Sequence, residues 1–209
     1  MADPEFNSKV LQLLGDRSLI ALRAQTQAER YLQQVINTLA DYFGYWPVFV
    51  PRAVIKSRPR LIEKIQESKS KEPALAPENA VETIKDLAAG RILVNGLEDI
   101  GIAQRFVKDY ADRTSNIKII GIRDFVHTRR ESGFRGLYLD LTIKFSLSPN
   151  FPVELQIMTF LQHAWDQLQH RIYEMTRVGG VVPPALMERF VALSDRLYEA
   201  DKEIDDLRF

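Results

Sequence analysis

RRESGFRGLYLDLTI, residues 129–143, carries two signals in one stretch. From Leu137 onward apolar and polar side chains alternate, the period of a strand with one buried face. Ahead of that strand Phe134 stands between Gly133, Arg135 and Gly136 and reads as an exposed aromatic. A hairpin would need the glycines but not the arginines. A loop that handles phosphate has a use for both.

Working outward, NIKIIGIRDFVH (116–127) before this stretch and PVELQIM (152–158) after it read as further strands. TFLQHAWDQLQHRIYEM (159–175) then reads as a helix. Upstream, LEDIGIAQRFVKDYAD (97–112) is an amphipathic helix with Ile100, Ile102, Ala103, Phe106, Val107 and Tyr110 inward. AVETIKDLAAGRILVNG (80–96) gives a short helix and a strand centred on RILV. VPRAVIKS (50–57) is a strand that Pro51 confines to an edge, and RPRLIEKIQESK (58–69) is a helix with proline in its first turn. Residues 68–79 read as a loop.

Residues 8–43 are helical by the spacing of Val10, Leu11, Leu14, Leu22, Leu32, Val35, Ile36 and Leu39, with a break expected at Gly15-Asp16. After Gly179-Gly180 and Pro183-Pro184 a last helix carries a stripe of Leu186, Phe190, Leu193, Leu197 and Ile204, suited to packing on the domain or to a homo-oligomer. The order predicts an α+β fold, a mixed sheet of about five strands flanked by helices. Residues 1–6 (MADPEF) look like an expression remnant and are set aside. Residues 7–50 form an N-terminal helical region, 51–178 the main domain and 179–209 a C-terminal helix.

The 209 residues can bury a substantial core, and 45% hydrophobic with 27% charged residues is ordinary for a globular protein. Lys plus Arg (28) equal Asp plus Glu (28), which argues against general binding to DNA or other long nucleic acid. A local basic pocket stays open. With no cysteine there is no disulfide framework, thiolate nucleophile or cysteine zinc site, which suits a reducing cytoplasm. No apolar run reaches membrane-spanning length, and no signal peptide is expected.

Two carboxylates stand out. Asp86 precedes the strand RILV, and Glu154 sits inside VELQI, projecting opposite to Val153 and Leu155. On neighbouring strands the pair suits magnesium, which takes one or two carboxylates plus substrate phosphates; a solvated glutamate on an open face is the plainer alternative. Arg52, Lys56, Arg58 and Arg60, then Arg91, then Arg129, Arg130 and Arg135 cluster at strand ends and loops, as a triphosphate with its metal would require. His163 and His170 share a helix face without metal-ligand spacing, so His170 reads as structural or as a substrate contact. Trp165 reads as core. P-loop, kinase and Rossmann signatures are absent.

In order, VIKSRPRLIEKI, KDLAAGRILV, RRESGFRGLYLDL, VELQIMT and AWDQLQHRIYE resemble the nucleotidyltransferase-like synthetase domain of the RelA/SpoT family over roughly residues 52–173. Those enzymes move pyrophosphate from ATP to the ribose 3′-hydroxyl of GDP or GTP. No His-Asp pair of the family's hydrolase half is present, so the resemblance implies a small, synthetase-only member. It implies magnesium on Asp86 and Glu154, with Glu154 also activating the 3′-hydroxyl. It places Arg91 on the ATP adenine and Lys56 on phosphate, with Arg52 or Arg58 in place of a second adenine-stacking arginine where Val54 stands.

Phe134 takes the place of the tyrosine that stacks on the acceptor guanine, with Arg130 and Arg135 as phosphate donors. Gln156 comes with Glu154 in the same strand motif. Ser132, Tyr138, Met158, Asp166 and Gln169 depart from the family pattern, mostly in the acceptor pocket, which His170 would also line. Three functions follow: synthesis of guanine alarmones, pyrophosphorylation of the tRNA 3′ end, or nucleotide or partner binding without catalysis.

Overall fold

The strands Leu137–Ile143 and Phe151–Thr159 alternate as the sequence suggests, and the phase of that alternation gives the sheet one apolar and one charged face. The computed structural model describes residues 4–51, 58–77, 88–144, 151–177 and 180–207. Its elements are α1 (Pro4–Phe43), β1 (Val48–Pro51), α2 (Arg58–Lys71), β2 (Ala88–Val94), α3 (Leu97–Arg113), β3 (Ile117–Asp124), β4 (Leu137–Ile143), β5 (Phe151–Thr159), α4 (Phe160–Arg177) and α5 (Pro184–Asp206). The sheet runs β1-β2-β5-β4-β3. β2 and β5 are parallel and the other pairs antiparallel, so this is the mixed sheet of an α+β domain.

On the apolar face Val153, Leu155 and Ile157 of β5 lie beside Leu137, Leu139 and Leu141 of β4, all buried. α1 and α3 cover them with Leu32, Val35, Ile36 and Leu39, and with Ile100, Ala103 and Val107. The Tyr31 hydroxyl donates to the Val107 carbonyl at 2.8 Å, so this polar end buried between the two helices has a partner. On the other face α4 and α5 close one end over a second cluster of Leu93, Phe134, Tyr138, Met158 and Trp165. Phe190, Leu193 and Leu197 of the C-terminal stripe pack there, on their own domain.

Two expectations are corrected, the break in α1 and the end of α2. α1 is continuous through Gly15-Asp16, because a helix whose apolar stripe is anchored on the sheet tolerates the modest cost of an internal glycine. α1 begins at Pro4, within the stretch set aside above, and Phe6 is buried with the Lys69 ammonium 3.6 Å above its ring. α2 extends to Lys71, beyond the expected loop boundary. The expected strand at 50–57 falls on β1 as far as Pro51, and residues 52–57 lie outside the described residues. No helix among the described residues is long and apolar enough to cross a membrane.

Candidate active site

Strand register lays the charged face out in rows. Arg91 of β2 lies beside Gln156 of β5, Gln156 beside Tyr138 of β4, and Tyr138 beside Arg123 of β3. One row along, Ala89 neighbours Glu154, Glu154 neighbours Asp140, and Asp140 faces Gly121. Gly121 makes room: a Cβ there would stand 3.1 Å from Asp140 Oδ2.

Hydrogen bonds join the rows into one chain across four strands. Arg91 Nε donates to Gln156 Oε1 at 2.7 Å, and Gln156 Nε2 donates to Glu154 Oε1 at 2.8 Å. Arg123 Nη2 then bridges Glu154 Oε2 at 3.2 Å and Asp140 Oδ1 at 2.6 Å. Both oxygens of Glu154 are thereby held, while its side chain keeps 16% exposure. Burial alone would lower the Arg123 pKa, but its hydrogen bonds to Asp140 and Glu154 outweigh that and raise it.

Arg91 is only 2% exposed, and a buried cation persists only when its donors are matched. Besides Gln156 it reaches His163 Nδ1 at 3.0 Å and pairs with Asp166 at 2.5 Å, both from α4. His170 lies 3.7 Å from the same carboxylate. Arg91 and Asp166 therefore form a supporting post beneath Gln156.

The loop from Phe125 to Gly136 caps this face. Gly133 (φ +94) and Gly136 (φ +146) take conformations that favour glycine, and a Cβ on Gly133 would meet Trp165 at 2.7 Å. The expected exposed aromatic is corrected: Phe134 is 5% exposed, because Gly136 folds the chain back and turns its ring onto Tyr138, with centroids 5.1 Å apart. The exposed guanidinium of Arg130 lies over three rings, 4.3 Å from Phe125, 5.2 Å from Tyr138 and 5.8 Å from Phe134. Ser132 accepts from Gln169 Nε2 through its carbonyl at 3.2 Å. Arg135 is 7% exposed and turned inward.

The structure thus brings Glu154, Gln156, Tyr138, Arg91, Asp166 and His170 into one network and sets Phe134, Arg130 and Ser132 beside it. Asp86, Arg52 and Lys56, and the side chain of Arg58, lie outside the described residues. Sequence reasoning missed Arg123 and Asp140. Asp140 was readable as the polar residue of LYLDLTI in phase with Tyr138. Arg123 was not, because an irregularity between Ile119 and Gly121 reverses the phase of β3.

A five-stranded mixed sheet with an apolar face under two helices and a charged face under two more defines the class, an α+β domain. The chain belongs to the RelA/SpoT family: residues 53–176 match the region found in RelA and SpoT proteins. It is similar to the GTP pyrophosphokinases YjbM and YwaC of Bacillus subtilis, each at 23% identity. The YjbM match covers 92% of this chain and 88% of the relative, the YwaC match 77% and 74%. Its fold is that of small alarmone synthetase 1 of Bacillus subtilis bound to its product pppGpp, with TM-score 0.76, 20% identity, and coverage of 93% and 96%. A GTP pyrophosphokinase family protein from Streptococcus pneumoniae follows at TM-score 0.68 and 17% identity over 90% and 89% of the two chains.

Proposed function

We propose that this pyrophosphokinase-like chain transfers pyrophosphate from ATP to the 3′-hydroxyl of GDP or GTP. The observation that carries this reading is the Glu154 carboxylate, half-buried on the charged face with one oxygen fixed by Gln156 and the other by Arg123. A base held in one orientation, still partly open to a ligand, is what in-line attack by a hydroxyl requires. The acceptor would enter beside the exposed Arg130 and the half-buried ring of Phe125, which offer charge and stacking together, with the buried rings of Phe134 and Tyr138 supporting Arg130 from beneath. On the donor side Lys56, Arg52 and Arg58 would steady the triphosphate. Arg91 contributes as the support of Gln156, its guanidinium being occupied by Gln156, His163 and Asp166.

Magnesium fits this donor set, since hard carboxylate oxygens suit it and it completes its shell with phosphates and water. Among the described residues no group of three or more His, Asp or Glu gathers to hold a metal, and Asp86 lies outside them. Glu154, with Asp86, would hold it, and when bound it would neutralise charge on the transferring phosphates. A reducing cytoplasm, consistent with the absence of cysteine, is the compartment this reading favours.

The test is a mass-resolved panel of ATP with GDP, GTP and tRNA, run on wild type and Glu154→Gln. Transfer to GDP or GTP that drops about 10²- to 10⁴-fold in Glu154→Gln is the expected result. Transfer to the tRNA 3′ end alone would move the acceptor to RNA. ATP binding with no product on any acceptor would leave a nucleotide-binding domain and refute the catalytic reading.

A further inference from the structure

α5 touches the Phe125–Gly136 loop at successive turns, from positions that share one helix face. The Phe190 carbonyl accepts from Trp165 Nε1 at 2.8 Å, seating the indole against Gly133. Ser194, buried, donates to the Gly133 carbonyl at 2.5 Å. Asp195 Oδ1 accepts from Arg129 Nε at 2.8 Å and from Arg135 Nη2 at 2.9 Å. Tyr198 lies 2.9 Å from His127 Nδ1, with the Arg135 guanidinium 4.1 Å from its ring.

Arg135 is occupied from its other side as well. Its Nη1 donates to the Val126 and His127 carbonyls at 3.1 and 2.9 Å. The same guanidinium thus ties the start of the loop to its end and both to α5. The Arg129 hydrogen bond, opposed by slight burial and reinforced by Arg135, holds the Asp195 carboxyl below its ordinary range, so it is ionised whenever the two arginines are charged.

We propose that α5 is the positioning element of the acceptor pocket, with Asp195 and Ser194 holding the loop in the shape that receives a guanine nucleotide and Arg135 and Arg129 serving as struts to Asp195 rather than as phosphate ligands. This rests on the proposed acceptor reading. The loop has few backbone hydrogen bonds of its own: Phe125 to Gly136, Arg130 to Phe134 and Gly133 to Arg130. Without the α5 anchors, ordering it would be charged against each binding event. Held in advance, it offers the exposed Arg130 guanidinium, backed by the rings beneath it, as a ready surface.

The two roles for the arginines give opposite signs on removal of the Asp195 charge. A phosphate-binding Arg135 would be freed by Asp195→Asn and would hold the acceptor more tightly. A strut would be cut loose, and acceptor binding would weaken. The experiment compares full-length wild type, Asp195→Asn, Asp195→Glu and Ser194→Ala. It measures KM for GDP and GTP against KM for ATP, GDP binding by Trp fluorescence, and amide hydrogen exchange of residues 125–136.

Expected in Asp195→Asn are faster loop exchange, an acceptor KM raised about tenfold and an unchanged ATP KM. Asp195→Glu should recover part of the loss, and Ser194→Ala should show a smaller change in the same direction. A lowered or unchanged acceptor KM, or loop exchange identical to wild type, overturns the proposal. Wild type that neither binds nor modifies a guanine nucleotide overturns it together with the reading it rests on. Unchanged loop exchange in Asp195→Asn removes the positioning role alone.

Discussion

On one face of the sheet Leu139, Leu155 and Ile157 are covered by α1 and α3 and are held by burial alone. On the other, one residue along the same strands, Glu154 and Gln156 are held by directional bonds that run from Asp166 on α4 to Asp140 on β4. The apolar face is non-directional, so it asks for volume and tolerates changes of shape. The charged face is a chain in which each side chain is oriented by hydrogen bonds or an ion pair to the next, so it asks for identity. Stability can be spread over many apolar residues, whereas a fixed carboxylate needs particular neighbours at particular distances.

Conservative exchanges break this comparison most directly. Asp166→Asn preserves size but leaves the Arg91 cation, 2% exposed, without its carboxylate. The expected loss is about 3–5 kcal/mol of unfolding free energy. Leu155→Met on the opposite face, also fully buried, should cost under about 1.5 kcal/mol, while Leu155→Ala should cost about 2–5 kcal/mol through its cavity. Urea unfolding of the three variants checks the contrast. If Asp166→Asn unfolds within 1 kcal/mol of wild type, the charged face is not the interdependent chain described above.

A second exchange sharpens the comparison at its exposed end. Arg123 and Asp140 keep 39% and 28% exposure, so their ion pair should contribute under about 1 kcal/mol to stability. Its consequence is orientation, since Arg123 fixes one oxygen of Glu154 from the position that Asp140 assigns to it. Asp140→Asn is expected to lower kcat of the proposed transfer about 10- to 100-fold, leave KM for ATP unchanged and barely move the unfolding midpoint. Equal losses in kcat and in stability would show that Asp140 merely holds the sheet together.

The legible and illegible parts of this face differ for physical reasons. Alternation in LYLDLTI and VELQI places Tyr138, Asp140, Glu154 and Gln156 on one side without further information. Alternation in β3 misleads: counting from Lys118 puts Arg123 on the apolar side. The irregularity between Ile119 and Gly121 leaves Ile120 unpaired, reverses the phase and brings Arg123 opposite Tyr138. A bulge carries little local signal beyond its glycine.

The turn at Gly133 and Gly136 was legible, but the reason for it was not. Trp165, Met158 and the backbone of Val191 crowd these glycines from elements that lie 22 or more residues further along the chain. The same distance hid Asp195 and Ser194, which lie on a helix whose stripe reads only as apolar. The order of strands and helices was readable because each owes its form to near neighbours. The partners of Arg91 and Arg135 were not, because a buried cation is satisfied by whatever the tertiary fold brings to it.

The smallest effect lies where a polar group has reached the rim of the apolar face. Asp201 of α5 is fully buried and accepts from the Thr159 hydroxyl at the end of β5 at 2.7 Å. One turn later Asp205 accepts from the Leu97 and Glu98 amides at 2.9 and 3.2 Å, capping α3 in place of a side chain at Gly96. Burial, opposed by the Thr159 hydrogen bond and reinforced by the charge of Asp205, pushes the Asp201 carboxyl up from 3.8 to about 6. The folded chain therefore holds this proton more tightly than the unfolded chain does. That preference stabilises the fold fully below about pH 4, fades as pH rises from 4 through 6, and is gone above it. Asp201→Asn keeps an acceptor for Thr159 but cannot ionise. Its unfolding free energy should therefore gain on wild type by about 2 kcal/mol between pH 4 and pH 7, as read from paired urea titrations. A difference that stays flat across that range would mean that water or a cation reaches Asp201 in solution. The rim of the apolar face would then be more open than Asp201, Thr159 and Asp205 together imply.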